Sequence, residues 1–210
     1  MAFLGYGALA ALGGAIVYAN LPTRLTIGAV APAASYLAQA KLFPIKDDTA
    51  VEENKEFEAS QLFKGGPTMV MAVRRPGCLL CRREAARLSD LLPEMKNAGI
   101  ELVGVVHETK GVKDFQPYFK GNIYFDSEKR FYGPNQRWMP LWMGFLRVGT
   151  YMNVYKSKKE GFEGNTAGEG RLLGGVYLIA NNEIVWHHLE KEWGDAANIE
   201  EVREAIRKFK

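Results

Sequence analysis

Both cysteines of this 210-residue sequence lie three positions apart, in the motif Cys78-Leu79-Leu80-Cys81. The uncharged run at 69–73 precedes them and is short enough to be a buried strand. Apolar residues then recur every three or four positions, which is the period of one helix face; these are Cys81, Ala85, Leu88, Leu92 and Met95. The pair therefore lies where a strand leads into a helix, with Cys78 near the N-cap and Cys81 on the core-facing side.

This position suits thiol chemistry, because the thiolate is the reactive form of cysteine and a helix N-terminus favours negative charge. Four cations, Arg74, Arg75, Arg82 and Arg83, lie within four residues of one cysteine or the other. We predict that Cys78 is the attacking, partly exposed thiolate and that Cys81 is the sheltered thiol that resolves the mixed disulfide.

Two other interpretations of the cysteines stay open. They could be packed structural residues, or they could be half of a zinc site, which requires four ligands. The sequence has no second C-x-x-C, and its remaining soft ligands are His107, His187 and His188. A C-x-x-C beside a strand-helix-strand pattern favours redox chemistry of the thioredoxin type over either alternative, and we therefore predict no metal site.

The composition indicates one globular domain with an appendage: 47% of residues are hydrophobic and 24% are charged. The net charge is +3, and basic residues alternate with acidic ones along most of the chain, so nothing indicates nucleic-acid binding. Two cysteines in a single motif are unlike a disulfide-stapled secreted scaffold and favour a reducing, cytoplasmic compartment.

The first residues form an apolar segment, since no residue from Ala2 to Thr23 is charged. As a helix, residues 2–19 would extend about 27 Å, slightly less than the hydrocarbon core of a bilayer. A membrane anchor, a signal peptide and a helix packed on protein all remain open, so membrane association through residues 2–19 and secretion stay as alternatives to a purely cytoplasmic location. We predict an N-terminal segment with a charged connector at 1–50 and the main domain at 51–210.

Further elements follow from the pattern of the chain. Residues 33–43 have helical spacing, and residues 100–106 form a β-branched strand that completes a parallel strand-helix-strand unit. The stretch 138–155 is dense in Trp, Met and aromatic residues and predicts a core helix from about Leu141, with a substrate wall or a membrane-facing surface as the minority interpretations. The glycine-rich, charged stretch 156–170 predicts a loop, which could cover the cysteine site or could merely be long. An antiparallel hairpin at 172–189 and a terminal helix at 199–209 complete the chain.

Five separated blocks carry a resemblance to a known family. They are Ala72–Arg82 around the cysteines, KDFQPYFKG at 113–121, FYGP at 131–134, GEGRLLGGVY at 168–177 and EKEWGD at 190–195. Together they resemble the peroxiredoxin-like 2 family over most of residues 60–210.

The resemblance implies an α/β fold of the thioredoxin-like, peroxiredoxin-like type: a central mixed sheet flanked by helices, here with an N-terminal apolar helical extension. It implies antioxidant or redox-regulatory activity at Cys78 and Cys81, with no bound cofactor and with reducing equivalents from thioredoxin or glutathione, ultimately NADPH. The substrate would be a peroxide. A related branch resembles prostamide/prostaglandin F synthase, which reduces an endoperoxide.

The sequence departs from true peroxiredoxins at the position three residues before Cys78, where they carry Thr or Ser and this chain carries Arg75. True peroxiredoxins also carry an activating arginine at the start of a strand late in the chain. That position would fall near Gly174 here, and the nearest arginine is Arg171. A peroxide bond needs donors that stabilise the developing oxyanion, so we predict that Arg75 supplies one of them. The sequence leaves two alternatives open: an enzyme that catalyses repeated reduction of its substrate, or a regulator whose disulfide switches a surface without turnover.

Overall fold

In the computed structural model, which describes residues 2–45 and 50–209, a seven-stranded mixed sheet lies at the centre of the chain. Its strands are β1 (Lys41–Pro44), β2 (Phe57–Glu58), β3 (Thr68–Val73), β4 (Glu101–Val106), β5 (Asn122–Asp126), β6 (Gly175–Ala180) and β7 (Glu183–Leu189). The spatial order is β2-β1-β5-β4-β3-β6-β7. Strands β3, β4 and β5 are parallel to one another, and β6 and β7 close the other side as an antiparallel pair.

Helices cover the sheet and extend from it. They are α1 (Ala2–Ala19), α2 (Ala34–Ala38), α3 (Ser60–Lys64), α4 (Leu79–Asp90), α5 (Leu92–Asn97), α6 (Val112–Phe115), α7 (Leu141–Leu146), α8 (Val148–Lys159) and α9 (Ile199–Arg207). Short 3-10 turns lie at Thr23–Leu25, Glu53–Lys55, Gln116–Tyr118 and Arg130–Tyr132. The predicted α/β fold with a central mixed sheet is therefore confirmed.

The strand that precedes the cysteines is the most enclosed part of the sheet. Every residue of β3 is buried, because β4 and β6 pair with its two edges and apolar side chains cover both of its faces. Met69, Met71 and Val73 join the core that contains both cysteines, whereas Val70 and Ala72 join the core on the opposite face. This burial explains why residues 69–73 carry no charge.

The predicted elements around this strand are largely confirmed. α4 begins directly after Cys78 and buries Cys81, Ala85 and Leu88, and a break at Leu91 before Pro93 separates it from α5. The hairpin turn Asn181-Asn182 adopts positive φ values of 52° and 62°, which asparagine tolerates better than most residues. Asn198 caps α9 by accepting a hydrogen bond from the Glu200 N–H at 3.0 Å.

Two predictions are corrected. The predicted helix at 33–43 ends at Ala38, and Lys41–Pro44 is instead strand β1, because Leu42 and Phe43 pair with the edge of β5. Helical spacing over so short a run did not reveal this long-range pairing. The predicted connector lies partly outside the described residues, at 46–49. Division of the chain near residue 50 stays a prediction, although β1 lies before that point and belongs to the sheet.

The second correction concerns the aromatic stretch at 138–155, which was predicted to be core. Met139 and Met143 are buried, whereas several of its large apolar side chains are exposed; these are Trp142, Phe145, Val148, Tyr151, Met152 and Tyr155. The stretch also forms two helices, because Arg147 adopts an extended conformation between α7 and α8. At the N-terminus, residues 2–19 do form a helix. Among the described residues, no helix is both long enough and apolar enough to cross a membrane.

Candidate active site

The cysteine motif lies at the carboxyl end of β3, where open α/β sheets place their active sites. Residues 74–77 connect the strand to α4, and Cys78 is the N-cap residue of that helix, with extended backbone dihedrals. The Cys78 N–H donates to the Arg75 carbonyl at 3.1 Å. Both cysteines are free thiols in the structure. The strand-to-helix placement predicted for the pair is therefore confirmed.

Cys78 is not partly exposed, which corrects the prediction made from the sequence. It is 3% exposed, and Cys81 is 4% exposed. The cover is a segment that we call the strap, residues 160–170, which follows α8 and crosses the start of α4. The Asn165 N–H donates to the Gly77 carbonyl at 2.8 Å, and Gly164 packs so closely that a Cβ there would collide with the backbone N of Leu79. The loop predicted at 156–170, with a cover over the cysteines as one of its alternatives, begins only at residue 160, because residues 156–159 belong to α8; from there it does lie over the motif.

Arginines of the cysteine motif hold the strap in place. Arg75 Nη1 donates to the Thr166 carbonyl at 3.2 Å, and Arg82 Nη1 donates to the Glu163 carbonyl at 3.1 Å. Arg83 forms a two-pronged ion pair with Glu160, both distances being 2.8 Å. The sequence indicated that these arginines place positive charge near the thiols. The structure gives them a second role, because their side chains hold the strap over the cysteines.

Arg74 differs from the other three, because it contacts the sulfur. Its Nη2 lies 3.4 Å from Cys78 Sγ, its Nη1 donates to the Gly170 carbonyl at 3.1 Å, and its Nε donates to Glu190 Oε1 at 3.0 Å. The side chain is 3% exposed. Although burial opposes its charge, Glu190 and the two cysteines raise the pKa of Arg74 well above its usual value, so that it stays a cation.

Glu190 fixes Arg74 from the other side of the site. Its carboxylate also accepts hydrogen bonds from the Gly174 N–H at 3.0 Å and the Gly194 N–H at 2.9 Å. A buried ion pair persists only if its remaining lone pairs are satisfied, and these two backbone donors satisfy them. Neither the contact of Arg74 with the sulfur nor the part of Glu190 in holding Arg74 was predicted from the sequence. The signal was present, since Glu190 opens one of the five family-like blocks.

The two thiols have opposite proton affinities. A hydrogen bond from the Cys81 thiol, followed by the charges of Arg74 and Arg75 and a hydrogen bond from the Leu80 N–H, holds the pKa of Cys78 well below its usual value despite burial. Donating that hydrogen bond, together with burial, raises the pKa of Cys81 well above its usual value. The arrangement favours a thiolate at Cys78 and a protonated thiol at Cys81, as their predicted roles require.

Arg75 is the predicted oxyanion donor, but among the described contacts it is Arg74 whose guanidinium reaches the Cys78 sulfur. The charge of Arg75 helps to lower the pKa of Cys78, but its described hydrogen bond goes to the strap carbonyl of Thr166. Its buried Nε has no hydrogen-bond partner among the described residues. A direct part for Arg75 in the reaction therefore stays a prediction that requires the guanidinium to turn toward the sulfur.

Two side chains at the ends of β3 and β4 hold the site's framework. The hydroxyl oxygen of Tyr132 lies 2.8 Å from the Val73 carbonyl oxygen and 3.1 Å from the Val105 carbonyl oxygen, and its single proton is shared between these two acceptors, so the side chain bridges the two strand ends. His107 Nε2 lies 2.8 Å from the Arg74 carbonyl, and burial lowers the pKa of His107. Burial therefore favours the neutral form of His107.

Glu84 of α4 contacts the segment that follows β7. Its Oε1 accepts a hydrogen bond from the Ala197 N–H at 2.9 Å, and burial raises its pKa to about 7. His188 stands nearby, and although burial opposes it, the hydrogen bond and charge of Asp195 raise the pKa of His188 to about 9. These groups connect α4 to the segment after β7.

A cavity of about 400 Å3 opens beside the start of α4. Leu79, Lys158, Phe162 and Glu163 line it together with glycines of the strap. It adjoins Leu79, the residue after Cys78, and neither cysteine is among its lining residues. Within the described chain, no three His, Cys, Asp or Glu side chains come together as metal ligands.

Sequence comparisons connect this chain to proteins with antioxidant names. The family described as AhpC/TSA matches residues 37–117, which include both cysteines, and the family described as AhpC/TSA antioxidant enzyme matches residues 87–192. Peroxiredoxin-like 2A from Homo sapiens is 42% identical over 99% of this chain and 89% of its own length. The protein of the same name from Danio rerio is 39% identical over 98% of this chain and 95% of its own length.

Comparison with solved structures agrees with the fold. A peroxiredoxin Q of Xanthomonas campestris superimposes with a TM-score of 0.52 at 13% identity, covering 87% of this chain and 99% of its own. AhpC of Enterococcus faecalis gives a TM-score of 0.50 at 9% identity, covering 80% of this chain and 85% of its own. At such identities the likeness concerns the fold, which is thereby identified as thioredoxin-like of the peroxiredoxin type.

Proposed function

The chain belongs to the peroxiredoxin-like 2 family and shares its redox, antioxidant-type role, and from this premise we propose that Cys78 and Cys81 act as a dithiol that reduces a peroxide. The observation that carries the proposal is the placement of a buried cation, Arg74, at 3.4 Å from the sulfur of Cys78. The pKa of Cys78 lies well below its usual value and that of Cys81 well above it, which favours a thiolate beside a thiol. A cation at this distance stabilises a thiolate and is available to stabilise the negative charge that develops on a leaving oxygen.

The proposed reaction has two steps. The Cys78 thiolate attacks one oxygen of a hydroperoxide, the O–O bond breaks, and Cys78 becomes a sulfenic acid while the other oxygen leaves as an alkoxide or hydroxide and takes a proton. Cys81 then attacks the Cys78 sulfur, water leaves, and a disulfide forms between them. In balance, one peroxide is reduced to an alcohol and water, and two thiols are oxidised.

The strap sets the access requirement for this reaction. Cys78 is covered, so a peroxide or a protein reductant reaches it only after residues 160–170 move away from Gly77 and Leu79. Disulfide exchange with thioredoxin or a glutathione system, supplied ultimately by NADPH, would then restore the thiols, because such exchange requires direct contact between sulfur atoms. Small hydroperoxides need less opening than a protein partner does.

A second candidate function is reduction of a lipid endoperoxide. The feature that favours it is the cavity beside Leu79, whose lining joins the apolar side chain of Phe162 to the cation Lys158. Such a lining suits an apolar chain that ends in a carboxylate. Substitution of Lys158→Ala should then raise KM for a carboxylated endoperoxide while leaving the rate with hydrogen peroxide unchanged.

The test is steady-state turnover of the full chain with thioredoxin, thioredoxin reductase and NADPH. We expect NADPH oxidation that depends on hydrogen peroxide or an alkyl hydroperoxide, disappears in Cys78→Ser and falls strongly in Cys81→Ser. If the wild-type chain consumes no peroxide above the rate of Cys78→Ser, the enzymatic proposal is wrong. If the dithiol is oxidised but no peroxide is consumed repeatedly, the result would favour a protein that acts as a redox-switched regulator.

A further inference from the structure

Large apolar side chains that soluble proteins usually bury are exposed along α1. Tyr6 is 72% exposed, Leu9 is 67% exposed and Val17 is 66% exposed, and the segment carries no charge before Arg24. Side chains all around the helix from Tyr6 to Tyr18 remain in contact with solvent, and Ala19 is the first fully buried one. An uncharged helix that is exposed on every side indicates an apolar environment around it.

A second exposed apolar surface lies on α7 and α8. Val148, Tyr151, Met152 and Tyr155 are exposed and recur at intervals of three and four residues, so they form a stripe along one face of α8. The same spacing continues the stripe into Lys156 and Lys159, which are exposed. In the described chain these two lysines have no carboxylate partner. The stripe therefore begins apolar and aromatic and ends cationic.

The two surfaces are fixed to each other. The ring of Tyr18 stacks on the ring of Trp142 with 6.2 Å between centroids. Asn20 Nδ2 donates to the Leu146 carbonyl at 2.9 Å, and Asn20 Oδ1 accepts from the Val148 N–H at 3.1 Å. These contacts connect the end of α1 to the junction of α7 and α8, so that both belong to one surface. We call it the apolar platform, formed by Tyr6–Tyr18, Trp142, Phe145, Val148, Tyr151, Met152 and Tyr155.

We propose that the apolar platform docks on a lipid bilayer with anionic headgroups, with α1 inserted into one leaflet and the α8 stripe lying at the interface. Three features favour lipid over a protein partner. The platform has no charged residue of its own, its Trp and Tyr side chains are of the kind enriched at membrane interfaces, and Lys156 and Lys159 at one end complement negative headgroups. Insertion into one leaflet does not require a helix that crosses the membrane.

The test is flotation of the full chain with two kinds of vesicle, phosphatidylcholine alone and phosphatidylcholine with 30% phosphatidylserine. We expect the wild type to float with the anionic vesicles. Met152→Glu/Tyr155→Glu should reduce the bound fraction at least tenfold, because it puts two charges into the interface. Lys156→Ala/Lys159→Ala should weaken partitioning onto anionic vesicles about 30-fold, since the two lysines contribute about 1 kcal/mol each near an anionic surface, and should have less effect on neutral vesicles.

The matched control is Gln61→Glu/Val185→Glu, which adds the same two charges at exposed positions outside the platform. It should float like the wild type. Circular dichroism and the thermal midpoint of each variant verify that it is folded. The proposal is overturned if the wild type does not float, or if the platform variant floats as well as the control. One alternative outcome is that the wild type does not float but self-associates without vesicles, and that Met152→Glu/Tyr155→Glu abolishes this self-association. That result would overturn the proposal and assign the platform to contact with a second copy of the chain. None of these measurements depends on the cysteines.

Discussion

The guanidinium of Arg74 donates to Glu190 through Nε at 3.0 Å and reaches Cys78 Sγ through Nη2 at 3.4 Å. Its position is thus set by a residue that follows β7, more than one hundred positions away in the sequence. A cation held in this way needs little reorganisation when charge develops on the sulfur or on a leaving oxygen. The reactivity of Cys78 should therefore depend on Arg74 more than on the other arginines of the motif.

Removal of the Arg74 charge should slow the reaction of Cys78. Substitution of Arg74 alone would leave Glu190 buried without a partner, so the variant to use is Arg74→Met/Glu190→Gln, which removes both charges. We expect iodoacetamide to alkylate Cys78 about tenfold more slowly at pH 7 than in the wild type, because less of the sulfur is ionised. The measurement is the alkylation rate as a function of pH, with the site of modification identified by mass spectrometry.

Arg207→Met is the control for that experiment, because it removes an exposed arginine that belongs to α9 and not to the cysteine motif or the strap. Its alkylation profile should match the wild type. Arg75→Met separates the two candidate donors: a loss of peroxide turnover as large as that of the Arg74 variant would support the role predicted for Arg75 from the sequence. Equal profiles for all variants would show that Arg74 does not control the thiolate.

The strap should limit the size of reagent that reaches Cys78. In Gly164→Ala, the added Cβ meets the backbone of Leu79 and should displace the strap. We expect a several-fold faster reaction with a bulky maleimide and little change with iodoacetamide. Gly65→Ala is the control, since a Cβ at that position meets no atom within 4 Å. Unchanged maleimide rates in Gly164→Ala would mean that opening of the strap is not the barrier.

Stability should fall in alkaline solution because of His188. Its pKa is about 9 in the folded chain against 6.5 for the free side chain, so its contribution is fully present below pH 6.5 and is lost as the pH rises through 9. The shift corresponds to about 3 kcal/mol. Urea unfolding at pH 6 and pH 10 should show a loss of this order that is much smaller in His188→Gln. A decline of the same size in both proteins would contradict the assignment.

Cys81 should be needed for the second step and not for the first. After one equivalent of hydrogen peroxide, Cys81→Ser should retain a sulfenic acid at Cys78 that dimedone traps, because no nearby thiol resolves it. The wild type should give little dimedone adduct. A comparable adduct in both proteins would indicate that Cys81 is too slow to be the resolving thiol.

The parts of this molecule that follow from local sequence were predictable. The uncharged run before the cysteines, the apolar spacing of α4 and the paired asparagines of the hairpin each determine an element by short-range chemistry. The burial of Cys78 was not predictable in this way, because it depends on the strap at residues 160–170, which meets the motif only in the folded chain. The exposure of Tyr151 and Tyr155 was missed for a different reason: an apolar stripe has the same period whether its partner is the core or another apolar phase.

The sequence alone does not determine whether Arg74 or Arg75 contacts the Cys78 sulfur. The two residues are adjacent and chemically identical, and which one faces the sulfur depends on the direction of the chain after β3 and on Glu190. Arg74 enters the buried network with Glu190, whereas Arg75 turns toward the strap carbonyl of Thr166. Such a difference is set by tertiary contacts and leaves no trace in spacing or composition.

The central claim is that Cys78 and Cys81 exchange two electrons with a peroxide as a pair, and peptide mapping of the reduced protein after one equivalent of hydrogen peroxide tests it most directly. Cleavage after Arg74 and Arg82 releases one peptide that contains both cysteines. The account predicts that this peptide becomes lighter by two hydrogen atoms, that both thiols disappear together, and that thioredoxin restores them. A peptide that keeps both thiols, or that gains oxygen at Cys78 without closing a disulfide to Cys81, would contradict it.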